Sequence, residues 1–192
     1  DLDGFRLGQS FWPEPHLQPG IPAQLVRDWQ ILLLPETMWR NGRLDCPERW
    51  FAVASFRSEI GAGGDFILIK GCEGDSEREF HTLNLSELRL AGETLLEGDG
   101  NQLRIRSNGM VPPRASAGAI LHRAAVLGGT AVVAAEVPDA PYCIWRRTLI
   151  QRVAQYALIV DDLHFREASS NLDIEFQWQG DGIWCPVRRD TG

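Results

Sequence analysis

The feature that most constrains the fold is a series of short apolar or alternating segments that begins near Trp50 and continues almost to the end of the chain. Alternation with a period of two residues is typical of β-strands, and the Gly, Asn and Asp residues between many of the segments favour tight turns. The segments with this pattern are RWFAVASF, DFILIKG, FHTLNLSELRL, ETLLEG, NQLRIRS, GAILHRAAV, TAVVAAEV, YCIWRRTLI, QYALIVDDLHF, NLDIEFQWQ and GIWCPVRR. The sequence therefore predicts about eleven strands.

The arrangement of these strands follows from what separates them. Because few helical segments intervene, the strands should pair antiparallel, and two stacked sheets are the usual way to bury so many of them. The turns GDGN at 98–101 and LGGT at 127–130 predict tight hairpins. QYALIVDDLHF is apolar on both faces, which predicts a central strand with Leu158 buried. The predicted fold class is all-β, a two-sheet antiparallel β-sandwich.

The first 48 residues differ in texture from the rest of the chain. FWPEPHLQPGIP carries four prolines, which remove backbone donors and predict an extended strap across the sandwich. AQLVRDWQILLL predicts a short helix that Pro35 would end. We therefore divide the chain into an N-terminal strap or linker, residues 1–48, and a β-sandwich domain, residues 49–192.

Charge and hydropathy exclude two kinds of partner. The formal net charge of −7 argues against nucleic acid, whose affinity comes from Lys and Arg neutralising phosphates. No apolar run approaches the roughly 20 residues that a membrane-spanning helix needs. The chain opens with Asp1 and shows no signal-peptide pattern, which is typical of a processed protein or of a piece of a longer one.

Local motifs for chemistry are few. The four histidines, His16, His81, His122 and His164, are too far apart in sequence for a local metal pair, and no GxSxG element is present. Asp161 and Asp162 are adjacent on a strand, so they should face opposite sides of the sheet and not act jointly as acid and base.

Cysteine and tryptophan usage adds two expectations. The four cysteines form no CxxC pair, so they are either buried thiols or members of up to two disulfides. Trp50, Trp145 and Trp178 lie inside strand patterns and should belong to the core. Trp12 and Trp39 lie in irregular segments, where an exposed indole can stack on a sugar ring.

Three segments resemble the β-sandwich domain of heparinase II/III-like polysaccharide lyases. WFAVASFRSEIGAGGDFILIKGCEG is similar to the strand, loop and strand that open that domain, and FHTLNLSELRLAGETLLEGDG to the histidine-bearing segment that follows. WRRTLIQRVAQYALIVDDLHF is similar to a later hairpin, in which an Arg-bearing strand leads to a Tyr-led strand ending in Asp. The resemblance covers residues 50–178.

The resemblance implies a function for a larger protein. In that family an α/α toroid precedes the sandwich, an acidic polysaccharide binds between the two, and the reaction is β-elimination at a uronic acid. It also implies a secreted or periplasmic location. The toroid would be the partner domain, and the isolated sandwich would lack most of the catalytic groups.

The same resemblance selects the candidate site residues. The family segment reads H-x-H-x-D, and only His81 matches it, as the second histidine, while Glu79 and Leu83 occupy the other two positions. His81 is thus the candidate catalytic residue, and Glu79, Asn84, Trp12 and Trp39 are the candidate substrate contacts.

The decayed pattern also bears on metals and on other functions. Zinc needs three or four protein ligands, so we expect no metal site. We also expect no cofactor. Two alternatives stay open, a carbohydrate-binding module without chemistry and a purely structural domain.

Overall fold

The computed structural model describes residues 29–33, 50–59, 63–72, 82–98, 100–101, 103–110, 118–166 and 171–180. Within these residues every regular element is a β-strand, so the predicted all-β, sandwich-like fold class is confirmed. The strands are β1 (Trp29–Leu33), β2 (Trp50–Arg57), β3 (Phe66–Lys70), β4 (Asn84–Leu90), β5 (Glu93–Glu97), β6 (Leu103–Ser107), β7 (Ala119–Leu127), β8 (Thr130–Ala140), β9 (Cys143–Arg152), β10 (Tyr156–Phe165) and β11 (Leu172–Phe176).

Nine of the strands form one antiparallel sheet in the order β10-β9-β8-β7-β2-β3-β4-β5, with β1 paired to β2. The remaining two, β6 and β11, form a small antiparallel sheet in which Ile105 lies opposite Ile174. At the start of β2, Trp50 and Phe51 pair with β7, and β1 pairs with β2 from Phe51 to Phe56. The sheet thus divides at β2 into two halves, one with β7 to β10 and one with β3 to β5.

The two halves curl so that their inner faces meet. Arg147 on β9 donates a hydrogen bond to the carbonyl of Leu83, and Gln151 on β9 donates one to the carbonyl of Arg89 on β4. β9 therefore lies over β4. The buried side chains between the layers include Phe51, Phe56, Ile67, Leu85, Val133, Trp145 and Leu149.

Ten of the eleven predicted segments form strands, β2 to β11, and GIWCPVRR lies outside the described residues. The prediction of a helix in AQLVRDWQILLL is wrong for Trp29–Leu33, which form β1. Pairing with β2 places Trp29 opposite Phe56 and Ile31 opposite Ala54, and Trp29 and Ile31 pack against the core. Tertiary pairing has overridden a weak local preference for helix.

Of the two predicted hairpins, LGGT is confirmed and GDGN is wrong. Gly128 and Gly129 both have positive φ, as a two-residue β-turn requires, and they join β7 to β8. β5 and β6 belong to different sheets, so the turn between them does not close a hairpin. Asn101, at its end, is fully buried and donates to the carbonyl of Leu85, which directs the chain inward.

The prediction that QYALIVDDLHF is a central strand is also wrong. β10 is the first strand of the sheet, and Leu158 is 49% exposed. Only one face of β10 is inward, where Ala157, Ile159 and Leu163 pack against the core. On the outward face, Tyr156, Leu158 and Val160 are each about half exposed.

Candidate functional site

The described part of the chain resumes at Thr82, the residue directly after His81. His81 and Glu79 lie outside the described residues, as do Trp12 and Trp39. Asn84 is the one candidate site residue that the structure describes, and it opens β4. The described residues next to His81 in sequence are Thr82, Leu83 and Asn84, and all three are fully buried.

Leu83 has an unusual backbone conformation. Its φ is 58°, in the left-handed region that a bulky residue rarely adopts. Such conformations cost of order 1–3 kcal/mol and persist only where the surroundings hold them. The carbonyl of Leu83 accepts a hydrogen bond of 2.9 Å from Nη1 of Arg147, which supplies part of that support.

Arg147 is a buried cation with a buried counter-ion. Its Nε and Nη2 donate to the two carboxylate oxygens of Asp161 on β10, at 2.7 and 2.9 Å. Nε1 of Trp145 donates to the same carboxylate at 2.8 Å. The guanidinium also lies 4.8 Å from the ring of Trp145 and 5.2 Å from the ring of Trp178. Paired and stacked in this way, Arg147 joins β9, β10 and the segment that follows His81.

Asn84 uses its amide inside the protein. Its Nδ2 donates to Oγ of Ser86 at 3.2 Å and to the carbonyl of Gly98 at 3.5 Å. Nδ2 of Asn101 donates to Leu85 O at 3.0 Å and reaches the carbonyl of Gly98 too. The two amides thus fasten the start of β4 to the turn after β5. Asn84 is fully buried, and its amide supports the start of β4.

A second buried carboxylate, Asp65, fastens the other end of β4. Its Oδ1 accepts from the backbone N–H of Ala91 at 2.7 Å, and Oδ2 accepts from the N–H of Ala154 at 2.8 Å. Both alanines have positive φ and lie in the β4–β5 and β9–β10 turns. Asp65 therefore holds two strained turns in place, and β4 is anchored at both ends.

A polar row crosses the outward face of β7 to β10. Glu136 accepts from Nε of Arg146 at 2.5 Å and lies 3.3 Å from Nε2 of His122. On β10, His164 lies 2.9 Å from Asp162. Asp161 and Asp162 do face opposite sides, as predicted, since Asp161 is paired with the buried Arg147.

The sequence contains a sign of the buried ion pair in the alternation of β9. Arg147 alternates in phase with Trp145 and Leu149, which are core residues, whereas Arg146 is out of phase and exposed. A charged residue in phase with the apolar face of a strand indicates a buried ion pair. Trp50 and Trp145 are buried as expected, and Trp178 packs against the core while remaining half-buried.

The described residues contain no group of three or more His, Cys, Asp or Glu that could hold a metal ion. Cys143 is a buried thiol, and its burial raises its pKa to about 11, with Arg166 acting weakly in the opposite direction. A thiol that stays protonated at neutral pH is a poor nucleophile. Cys46 and Cys185 lie outside the described residues.

We expect the purified chain to contain no stoichiometric zinc, because only His81 remains of the H-x-H-x-D pattern. Elemental analysis of protein prepared without chelator measures this, and His81→Ala is the control that should leave the metal content unchanged. One zinc per chain, lost in the variant, would contradict the expectation.

No family model matches the chain, and neither the curated proteins nor the solved structures contain a match to it. The described residues include no helix long and apolar enough to cross a membrane.

Proposed function

We propose that this chain is the β-sandwich domain of a heparinase II/III-like polysaccharide lyase that acts, within a longer polypeptide, on uronic-acid glycans in a secreted or periplasmic setting. The observation that carries the proposal is the rigid support of the segment after His81. Leu83, two residues after His81, is fully buried, has a strained φ of 58° and is bound by the Arg147–Asp161 pair. Residues in strained backbone conformations cluster at active sites, where the surrounding structure holds them.

The chemistry proposed is β-elimination. A base removes the proton at C5 of the uronic acid, a hydrogen-bond donor or cation stabilises charge on the adjacent carboxylate, and the glycosidic oxygen leaves. His81 would serve as one of these groups, since imidazole can accept or donate a proton near neutral pH. The remaining groups would come from the helical toroid that the resemblance implies.

A supported backbone matters for this reaction because geometry sets much of the rate. A displacement of about 1 Å in a catalytic group can cost about a hundredfold in rate. Arg147 and Asp161 lie on different strands, so one ion pair fixes β9, β10 and the start of β4 together. His81 precedes Leu83 of that unit by two residues in the sequence.

The alternative of a carbohydrate-binding module without chemistry has less support. Such modules use exposed aromatic faces, of which the indole is the most effective. Of the described tryptophans, Trp50 and Trp145 are buried, while Trp29 and Trp178 pack against the core. The described residues therefore offer no fully exposed tryptophan for a sugar, and Trp12 and Trp39 stay as predictions.

The experiment that tests the proposal compares the longer natural polypeptide with a version that lacks these residues. Alginate, heparan sulfate and chondroitin are incubated with each, and the ultraviolet absorbance of unsaturated uronate ends is followed. We expect product from the longer polypeptide on one of these glycans and none after deletion. Absence of product on every uronate glycan from the longer polypeptide would count against the lyase proposal.

The 192-residue chain alone should not cleave these glycans. Elimination needs a base and a carboxylate-stabilising group in one water-excluding cleft, and His81 is the single residue here that matches the family pattern. The same absorbance assay measures this, with saturable glycan binding as a second readout. Turnover by the isolated chain that disappears in His81→Ala would make the chain a complete enzyme, and saturable binding without turnover would favour the binding module.

A further inference from the structure

The two edges of the large sheet are built differently. β5 is five residues long, carries exposed glutamates at both ends, and its Glu97 N–H donates to the carbonyl of Gln179. Gly180 is so close to this strand that a Cβ there would lie 2.0 Å from the carbonyl of Leu95. The β5 edge is thus short, charged and covered, as edge strands of soluble domains usually are.

β10 is twice as long as β5 and has fewer of these protections. It is ten residues long, contains neither proline nor lysine, and pairs along its whole length with β9. Within the part of the chain that the structure describes, no strand lies on its other side. In the described structure its outer edge therefore presents backbone N–H and C=O groups that another β-strand can bind.

The outward face of β10 is apolar in its first half and polar in its second half, at Asp162 and His164. Tyr156, Leu158 and Val160 are each about half exposed and stand next to one another on one face. On β9 they lie opposite Arg152, Ile150 and Thr148. A free backbone edge and an exposed apolar row on the same strand point to one surface, because strand addition would bury both together.

We infer that β10 pairs with β10 of a second copy of this chain, antiparallel, so that two nine-stranded sheets join across a two-fold axis. Residues directly opposite in an antiparallel pair point to the same face. With Ile159 on the axis, Leu158 lies opposite Val160 of the second copy, and Tyr156 lies opposite Asp162. The four aliphatic side chains then form one cluster, and at each end a tyrosine hydroxyl can donate to a carboxylate.

Self-complementarity selects a second copy over an unrelated strand. A two-fold interface must present a surface that matches itself, and this strand does so with an apolar centre and donor–acceptor pairs at both ends. Asp161, the other acid of the strand, is turned inward and bound to Arg147, so it adds no unpaired charge at the axis. The inference does not depend on the proposed lyase function.

The test is the molar mass of the 192-residue chain in solution, measured by light scattering after gel filtration and by sedimentation equilibrium. We expect a dimer at tens of micromolar protein. Val160→Lys should raise the dimer dissociation constant at least about tenfold, because lysine on an edge strand opposes pairing. The matched control is Leu127→Lys, which changes the same charge at a 64% exposed position in the β7–β8 hairpin and should leave the mass unchanged.

Circular dichroism and the urea midpoint show whether each variant is folded. At about 100 µM protein, a pair with a micromolar dissociation constant would be largely dimeric. A chain that is monomeric at this concentration would overturn the inference. So would a dimer that Val160→Lys leaves intact, or that Leu127→Lys disrupts equally. Open-ended assemblies in place of a dimer would also overturn it, since they require a second surface.

Discussion

Replacing Arg147 with methionine should lower the free energy of unfolding by about 3–5 kcal/mol, the usual cost of removing one partner of a buried ion pair. The variant leaves the carboxylate of Asp161, only 8% exposed, without its cation. It also removes the donors to the carbonyls of Leu83 and Asn101, so two buried acceptors lose a hydrogen bond. The measurement is urea-induced unfolding followed by tryptophan fluorescence.

The neighbouring arginine provides the matched control. Arg146 is half exposed and pairs with Glu136 on the outward face, so Arg146→Met should cost less than about 1 kcal/mol. Replacing both members of the buried pair, Arg147→Met with Asp161→Leu, should cost less than the sum of the two single changes. Equal effects of Arg146→Met and Arg147→Met would show that the buried pair does not organise the domain.

The second large effect is expected at Leu149, whose side chain is completely buried between the layers. Leu149→Ala should lower the free energy of unfolding by about 2–5 kcal/mol, the range for a leucine whose removal leaves a cavity. Leu158→Ala is the matched change on the neighbouring strand, and with half its surface exposed it should cost less than about 1 kcal/mol in the monomer. Unfolding at low protein concentration measures both.

If Leu158→Ala proves as costly as Leu149→Ala in the monomer, β10 is covered in solution and the assignment of a free edge is wrong. A cost that appears only at high protein concentration would instead agree with pairing between copies, because dimerisation stabilises the folded state by mass action.

Local pattern was sufficient to predict most of the strands. The alternation of apolar residues gave β2 to β11, and Gly128 and Gly129 identified one hairpin correctly. Both signals are local, since side-chain period and positive φ act within a few residues. The same local reasoning failed for Trp29–Leu33, because a short, mostly apolar segment such as WQILL is compatible with a helix or with a strand.

The errors about β10 and the turn at 98–101 have a different origin. A strand that is apolar on both faces is buried on both sides only if something covers each side, and the sequence does not say what covers it. For β10 the described structure covers one face only. The turn after β5 leads into another sheet, and there Asn101 donates to the carbonyl of Leu85, a residue 16 positions earlier in the sequence.

The candidate site was predictable only through resemblance. Nothing in the spacing of the four histidines distinguishes His81 from the others. What the structure adds is the support of the backbone that follows His81 in sequence: a strained Leu83, a buried Arg147 and its partner Asp161. Arg147 could have been inferred from its phase with Trp145 and Leu149, but its partner could not, because Asp161 lies on the next strand.

The most direct test of the central proposal is whether the longer polypeptide that it implies releases unsaturated uronate ends, and at what rate with and without His81→Ala. Loss of a general acid or base typically costs about 10²–10⁴-fold in rate, so the variant should lose at least about a hundredfold while remaining folded. His122→Ala, an exposed histidine on the outward face, is the matched control and should retain full activity. Equal activity of the His81→Ala variant and the unaltered protein would contradict the assignment of His81 as a catalytic residue.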